Sequence, residues 1–359
     1  MPALCGPGAG QGARLSPSLH VIIRSAAERT AAYCCADLVR QTSASQVERV
    51  ESAPFWRTLR EGLQRGQASG AEWVLSVDAD VIPAPDTVAR IQPWLAKADG
   101  QVGVITCMIQ DKFMGGMRFG GVRIYRGAAL TDMLEVMPPS GADVRPETAT
   151  INASLKRGWR EQQTPEMLGL HDFEQYYRDI YRKAFLHMQK HGYMAARFLP
   201  AWKEQAVLDP DFRAALAGAG DALFEMSEVD CDATHAAYQP AAALKRVGLV
   251  EKSDLQFDDQ RYRREVEAWQ VAQDSGRSAP ISVPDQSIYD RTTPEDEIVQ
   301  RIARIGENLK LYAGFSGRTK AAALHQVRRA LLDHELLGSF STGELARYAR
   351  SRLWHRWRR

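Results

Sequence analysis

Two aspartates stand one residue apart at the end of an apolar run, and their spacing is the first sign of chemistry in this sequence. Residues 73–77 form a short, largely apolar run that is typical of a buried parallel strand. Asp78 and Asp80 follow it, and Pro83 then disfavours a regular continuation of the strand. Ligands of an open parallel sheet bind beyond the carboxyl ends of its strands. Two carboxylates there cost free energy unless a cation lies between them, so the spacing predicts a divalent cation that bridges a diphosphate.

The alternative interpretation of this pair is a solvated loop, because aspartate is common wherever a strand ends. The buried-strand pattern before Asp78 and the proline-led helix after Asp80 favour the chemical interpretation. A second pair, Asp230 and Asp232, follows a helical stretch instead. We interpret that second pair as an acidic surface loop.

Composition narrows the class of protein. The chain has 359 residues, of which 45% are hydrophobic and 25% charged, as in ordinary globular proteins, and this length favours two domains or one domain with an extension. The net charge of +2 is too balanced to indicate nucleic-acid binding. No apolar run reaches the roughly 18 residues of a membrane span, and the first residues lack the pattern of a signal peptide. Five scattered cysteines without a Cys-x-x-Cys pair indicate reduced thiols and a cytoplasmic setting.

Apolar runs alternate with helical patterns along the first half of the chain. The predicted strands are 19–24, 47–50, 73–77, 102–109, 120–126 and 163–170. The predicted helices between and after them are 31–41, 55–65, 87–95, 128–137, 149–157 and 173–191. Residues 110–119, with paired glycines, are predicted to form a flexible loop. Short connections between strands and helices predict a right-handed α/β sheet.

Over about residues 18–192 this order resembles the GT-A glycosyltransferases, particularly the family-2 group, whose pattern runs apolar strand, Asp-x-Asp, short loop, proline, helix. The resemblance implies a GT-A-like, Rossmann-like α/β fold with a mixed, mostly parallel sheet flanked by helices. It also implies a hexosyltransferase-type, inverting enzyme that uses Mn²⁺ or Mg²⁺. Such an enzyme moves a sugar from a nucleotide-diphosphate donor, with a UDP-sugar favoured, to a glycan or lipid-linked acceptor, as in polysaccharide biosynthesis.

The resemblance assigns roles to particular residues. The positions that hold the nucleotide fall on Arg24, Ser25, Arg29, Glu51 and Asp78. Asp78 and Asp80 are expected to hold the metal together with His171, since a histidine at the close of this domain joins the motif in several such enzymes and a neutral imidazole accepts a divalent cation. A glycine-rich strand, here with Gly120, Gly121 and Arg126, is expected on the acceptor side.

The chain departs from the family pattern at the catalytic base. The family has a Glu-Asp pair whose aspartate is the base, whereas this chain has Glu147 followed by Thr148. Glu147 and Asp172 are therefore the two candidates for the carboxylate that deprotonates the acceptor hydroxyl. Glu147 could instead stabilise a helix N-terminus. Lys183 and two arginines on the predicted helix after Asp172 could offset phosphate charge or form its solvated face.

The second half of the chain gives fewer signals. The expected organisation is a disordered lead-in over 1–17, a nucleotide-sugar-binding GT-A domain over 18–192, a mostly helical region over 193–341 and a basic amphipathic tail over 342–359. In the tail, Leu345, Ala349, Leu353 and Trp357 recur at four-residue spacing among arginines. This pattern predicts peripheral contact of residues 344–359 with the inner face of an anionic membrane, or a helix packed on the helical region.

Two rival functions stay open at this stage. A haloacid-dehalogenase-like phosphatase would use Asp78 and Asp80 as nucleophile and acid, but that fold usually carries its motif near the first strand, and two α/β units come first here. A non-catalytic nucleotide-sugar or glycan-binding relative is the second rival, because the Glu-Asp pair is missing. Metal-dependent donor hydrolysis by the purified protein would separate the three hypotheses.

Overall fold

A computed structural model describes residues 17–140, 145–191, 195–222, 235–256 and 259–274. Several expected features lie outside the described residues: the second Asp-x-Asp pair at Asp230 and Asp232, the tail over 342–359, and all of the lead-in except residue 17. The membrane contact expected for residues 344–359 therefore stays a prediction.

A seven-stranded mixed sheet forms the centre of the described chain. Its strands, in chain order, are β1 (Leu19–Ser25), β2 (Val47–Glu51), β3 (Trp73–Asp78), β4 (Val81–Pro83), β5 (Val102–Asp111), β6 (Gly116–Arg126) and β7 (Arg160–His171). They are hydrogen-bonded in the order β2-β1-β3-β6-β5-β7-β4. β1, β2, β3, β5 and β7 run in one direction, and β4 and β6 run against them.

Helices cover both faces of this sheet. The described α-helices are α1 (Ala31–Gln41), α2 (Phe55–Ala68), α3 (Thr87–Lys97), α4 (Leu130–Val136), α5 (Pro146–Leu155), α6 (Tyr177–His191), α7 (Ala195–Gln205), α8 (Pro210–Ala222), α9 (Pro240–Arg246) and α10 (Asp259–Asp274). α1 and α3 pack on the face of β1 that carries Val21 and Ile23, and α2 and α4 pack on the face that carries Ile22. β1 is thus buried on both faces, which explains its unbroken apolar run. The predicted mixed, mostly parallel α/β sheet flanked by helices is confirmed.

A separate core lies among the later helices. Buried residues of α6, α7, α8 and α9 form one cluster, which includes Phe185, Trp202 and Leu244. α6, which the expected division places in the sheet domain, therefore shares its core with the helices that follow it. α10 returns to the sheet, where Tyr262 and Val266 pack beside β4 and β7. Among the helices that the structure describes, none combines the length and the apolarity needed to cross a bilayer.

One local prediction is wrong, and one strand was not predicted. The loop predicted over 110–119 is shorter, because β5 continues to Asp111 and β6 begins at Gly116. No strand was predicted at residues 81–83, where β4 pairs antiparallel with β7. A strand of three residues is too short to give a pattern, and Pro83 is tolerated because it is the last residue of an edge strand.

Two glycines of α8 test the packing of α8 on α6. A Cβ on Gly218 would lie 2.1 Å from the carbonyl oxygen of Tyr181, whereas a Cβ on Gly220 would meet nothing within 4 Å. Gly220→Ala should stabilise the protein by about 0.5–1 kcal/mol through helix propensity. Gly218→Ala should destabilise it by about 1–3 kcal/mol because the two helices must separate. Urea unfolding of both variants measures the difference, and equal effects would contradict the close approach.

Candidate active site

Ionisable residues gather at the carboxyl ends of the parallel strands. In the β1–β3 pair Arg24 lies opposite Asp78, and in the β5–β7 pair Asp111 lies opposite His171. Because these strands run in the same direction, the residues that end them meet at one edge of the sheet. This edge is where ligands of open α/β sheets bind, and it is the candidate site.

Hydrogen bonds to the main chain hold the turn that carries Asp78 and Asp80. The N–H of Ala79 donates to the carbonyl of Arg24 at 2.8 Å, and the Thr30 hydroxyl donates to the carbonyl of Ala79 at 2.7 Å. The N–H of Asp172 donates to the carbonyl of Asp80 at 3.1 Å. The two carboxylates have different partners as a result: Asp78 pairs with a cation at the end of β1, and Asp80 faces the residues that end β7.

Two unusual backbone conformations occur beside Asp80. Asp172 has a φ of 65°, a left-handed conformation that is uncommon outside glycine but tolerated by aspartate. Gly121 of β6 has a φ of 74°, and a Cβ there would lie 2.9 Å from Cδ1 of Ile109 and 3.5 Å from Cδ2 of His171. Glycine at this position therefore lets β6 pass close to the imidazole.

Arg24, Asp78 and Glu147 form the first half of the site, and Arg24 is its buried cation. Its side chain is 2% exposed, and its guanidinium lies 2.8 Å from Oδ1 of Asp78 and 2.5 Å from Oε1 of Glu147. Burial lowers the pKa of Arg24, but the two carboxylates outweigh burial and raise the pKa above its usual value. Burial also raises the pKa of Asp78, and Arg24 reverses only part of that effect. The carboxylate of Asp78 is consequently occupied by its ion pair with Arg24.

Glu147 is the centre of a buried hydrogen-bond cluster. Its Oε1 accepts hydrogen bonds from Arg24 and, at 2.5 Å, from the hydroxyl of Tyr125, and its Oε2 accepts one from Arg123. Burial raises the pKa of Glu147, but Arg123 and Arg24 outweigh it and lower the pKa to about 2. A carboxylate with so low a pKa and with both oxygens occupied is a weak proton acceptor.

Asp80, His171 and Asp172 form a group that could hold a metal ion. One ligand atom from each residue lies within 4.8 Å of the others, and all three residues are buried. Nδ1 of His171 lies 2.9 Å from Oδ2 of Asp111, and its Nε2 lies 3.5 Å from Oδ1 of Asp80. Within the described part of the chain, Oδ1 of Asp80 is buried and has no hydrogen-bond partner.

These donors fit a divalent cation. A metal-bound histidine usually donates its second ring N–H to a carboxylate, and Asp111 stands in that position behind His171. The other ring nitrogen then faces Oδ1 of Asp80, a buried oxygen that lacks a partner. Mg²⁺ is commonly held by one or two carboxylates together with substrate phosphates. Asp78 lies outside this group because its carboxylate faces Arg24.

Lys183 of α6 neutralises the same carboxylates. Its ammonium donates to Oδ2 of Asp80 and to Oδ1 of Asp172. Burial raises the pKa of Asp80, but Lys183 and His171 outweigh it and lower the pKa to about 2. Burial lowers the pKa of His171, and the nearby Asp172 and Asp80 carboxylates produce a net rise. The second half of the site, formed by Asp80, Asp111, His171, Asp172 and Lys183, is therefore built from opposite charges like the first.

Two cavities meet at this group. The first, of about 320 Å³, lies between the ends of β1 and β3 and one face of α6, and its lining includes Asp179, Arg182, Lys183 and Leu186 of that helix. These four residues recur at helical spacing, so one face of α6 forms a wall. The second, of about 210 Å³, extends from Asp80 to the aromatic rings of the helical core. Asp80, Lys183 and Leu186 line both cavities.

The predicted site residues are divided between these cavities. Arg24, Ser25 and Asp78 line the first, His171 and Asp172 line the second, and Asp80 lines both. Among the described residues, the linings of the two cavities do not include Arg29, Glu51 or Glu147. Arg29 binds Glu174 and the carbonyl of Ser253, and Glu51 forms an exposed ion pair with Arg49.

Arg126, which was expected on the acceptor side, lies at the end of the sheet opposite the candidate site. β6 is antiparallel to β3, so its last residue, Arg126, pairs with Trp73 at the opposite end of the sheet. There its guanidinium stacks 4.1 Å from the centre of the Trp73 ring and donates to main-chain carbonyls. This position gives no support to a role of Arg126 in acceptor binding, and the direction of β6 could not be inferred from its glycines.

Several site residues have no sequence prediction. Asp111 ends the apolar run of β5, so the rule that identified Asp78 could have found it. Arg123 and Tyr125 alternate along β6 and meet Glu147, but nothing in the sequence links β6 to α5. Such contacts depend on strand order, which local patterns do not encode.

The Glu147 cluster gives a prediction for stability. Glu147→Gln should lower the free energy of unfolding by about 3–5 kcal/mol at neutral pH, because two buried guanidiniums lose their shared carboxylate. The pKa of Glu147 is lowered on folding, so the stability that its ionisation contributes is present above its unfolded value of 4.5 and is lost as the pH falls towards about 2. The difference between wild type and variant should shrink over that range in urea unfolding. A difference that is independent of pH would contradict the assignment.

No protein-family model and no curated protein sequence matches this chain. The fold is similar to a glycosyltransferase involved in the glycosylation of the major capsid of PBCV-1, at 16% identity and a TM-score of 0.33, over 42% of this chain and 82% of that one. It is similar to a mannosyltransferase from Pyrobaculum calidifontis in complex with GDP-Man and Mn²⁺, at 14% identity and a TM-score of 0.34, over 91% and 89% of the two chains. It is also similar to CMP:2-keto-3-deoxy-manno-octonic acid synthetase complexed with CTP, at 11% identity and a TM-score of 0.29, over 43% and 92%. Similarities this low carry no weight for the activity of this chain.

Proposed function

We propose that this protein is a glycosyltransferase that uses a nucleotide-diphosphate sugar and a divalent cation. The observation that carries the proposal is the Asp80–His171–Asp172 group, which lies where two cavities meet beyond the carboxyl ends of parallel strands. Two cavities joined at a cation site suit a reaction in which a donor and an acceptor must be held side by side.

The first cavity is proposed to hold the donor. Its lining includes the carboxylates of Glu28, Asp78, Asp80 and Asp179, which would repel a diphosphate. Among the described residues, three cations line the same cavity: Arg24 and Arg182 already neutralise Asp78 and Asp179, and Lys183 contacts Asp80, so no cation of the lining is left unpaired for a diphosphate. A diphosphate next to Asp80 therefore needs a further cation, which supports the proposed metal dependence.

Asp80 and His171 are proposed to hold Mn²⁺ or Mg²⁺, with Asp111 fixing the imidazole through its Nδ1. When bound, such a cation stabilises the negative charge of the diphosphate leaving group. Arg24 keeps Asp78 out of this task and fixes the end of β3. The side chains thus prepare a site whose remaining ligands come from the donor.

The second cavity is proposed to hold the acceptor, with Asp172 as the group that takes the proton from its hydroxyl. Asp172 lines this cavity, whereas Glu147 does not, and the partners of the Asp172 oxygens are the exchangeable Lys183 ammonium and, at 3.2 Å, Nδ1 of His171. Asp111 also lines it, but its oxygens accept hydrogen bonds from two main-chain N–H groups, Arg118 and His171. Phe198 and Trp202 stack 6.0 Å apart at the other end, and such rings suit the apolar face of a sugar or a lipid carrier.

The phosphatase hypothesis has less support. It needs Asp78 as a nucleophile, but the Asp78 carboxylate is ion-paired with buried Arg24, and burial raises its pKa. A binding protein without activity stays a rival, and the experiments on Asp172 below distinguish it.

Replacing Asp80 tests the cation site. In calorimetry, wild-type protein should bind a UDP-sugar only when Mn²⁺ is present. Asp80→Ala should weaken that binding by at least about 100-fold, because a side chain that binds the metal directly is lost. Asp99→Ala removes an exposed carboxylate that pairs with Arg160, and it should bind like wild type. Donor binding that survives in Asp80→Ala at the wild-type affinity would refute the metal assignment.

Replacing Asp172 separates a proton acceptor from a metal ligand. Asp172→Asn should lower the transfer rate by at least about 100-fold, the usual scale for a general base, while Mn²⁺ and UDP still bind. Glu147→Gln, assayed where it is folded, should retain transfer to within about tenfold. Loss of transfer in Glu147→Gln alone would exchange the two roles, and undetectable transfer and hydrolysis in the wild type would favour the binding protein.

A further inference from the structure

Lys183 occupies a position that a metal ion would compete for. Its ammonium lies on Oδ2 of Asp80 and on Oδ1 of Asp172, two of the three groups that could hold a cation. This contact joins α6, which carries the lysine, to the edge of the sheet, which carries the aspartates. The Lys183 side chain is 34% exposed and lines both cavities, so it has room to move.

The charges around Asp80 explain why the Lys183 ammonium and a divalent metal ion do not fit there together without a further anion. The carboxylates of Asp80, Asp111 and Asp172 face the cations Lys183 and Arg118, a net charge of −1 with His171 neutral. A divalent cation added to this group makes the net charge +1, within a few ångströms of an ammonium. A diphosphate in the first cavity would reverse the sign again and offer Lys183 new oxygen acceptors.

We infer that Lys183 is an internal cation that keeps the metal out until the donor arrives, and this inference rests on the proposed function. Binding of a nucleoside diphosphate draws the ammonium from Asp80 onto a phosphate oxygen, and Oδ2 of Asp80 becomes available to the metal. The flexible four-carbon stem of lysine allows this exchange, whereas the residues that end the strands are fixed by main-chain hydrogen bonds. Metal and nucleoside diphosphate should therefore strengthen each other's binding, and by linkage the two effects are equal.

Electron paramagnetic resonance of free Mn²⁺ tests this inference directly on the full chain. Lys183→Met should bind Mn²⁺ alone at least about tenfold more tightly than wild type, since two like charges in contact cost more than that factor. UDP should tighten Mn²⁺ binding in wild type and should have a much smaller effect in Lys183→Met. Thermal unfolding gives a second readout, because Mn²⁺ should raise the melting temperature more in the variant.

Matched variants control for loss of charge and for loss of folding. Arg178→Met removes a positive charge from the same helix, where Arg178 faces Glu251, and it should bind Mn²⁺ like wild type. Lys183→Arg keeps the charge and should also resemble wild type. Lys183→Gln is neutral but keeps a hydrogen-bond donor, and it replaces Lys183→Met if that variant does not fold.

The outcomes distinguish this inference from the proposed function. Equal or weaker Mn²⁺ binding by a folded neutral variant would overturn the role of Lys183, whatever the protein does with a donor. Failure of UDP to bind wild type with or without Mn²⁺ would instead refute the proposed function, while tighter binding of Mn²⁺ alone to Lys183→Met would still support competition between the two cations.

Discussion

The pairing of Arg24 with Asp78 and Glu147 is the interaction on which the site depends. A guanidinium that is 2% exposed is tolerated only when carboxylates compensate its charge, and here one comes from the neighbouring strand and one from α5. The pairing fixes the ends of β1 and β3 against each other and joins the helix layer to the sheet edge. It also occupies the carboxylate of Asp78, although that side chain is still 24% exposed and lines the first cavity. Asp80 is thereby left as the carboxylate of this turn that can serve a ligand.

The second half of the site is also built from opposite charges, but its charges are less completely matched. Asp111 saturates its oxygens and holds His171, whereas Oδ1 of Asp80 keeps no hydrogen-bond partner among the described residues. Lys183 reaches Asp80 and Asp172 from a helix that also walls both cavities. The Arg24 half of the site is rigid, whereas the Lys183 ammonium of the other half can be exchanged for a metal ion. This combination is suited to binding a charged donor and releasing a charged product.

The sequence predicted the sheet and the location of the site better than the contacts within it. The apolar run of β3 and the rule for strand ends placed Asp78 and Asp80 at the edge where the cavities lie. Which carboxylate faces which cation could not be predicted, because it depends on strand order and on the hydrogen bond from Ala79 to Arg24. The sequence favoured a solvated position for Lys183 over a contact with phosphate, since the direction in which α6 packs is a tertiary property. Glu147 was one of the two residues expected in catalysis, yet Arg24 of β1 and Arg123 and Tyr125 of β6 occupy both of its oxygens.

The central claim is that Asp80 and His171 form a cation site at which the donor completes the coordination. Anomalous diffraction from crystals grown with MnCl₂ and UDP tests it most directly, because it locates the manganese without any assumption about activity. The account predicts an anomalous peak at coordination distance, about 2.0–2.6 Å, from an Asp80 oxygen and close to Nε2 of His171, with a phosphate oxygen on its other side. A manganese peak bound elsewhere, or UDP bound in the first cavity with the Lys183 ammonium still on Asp80 and no metal beside it, would contradict the account.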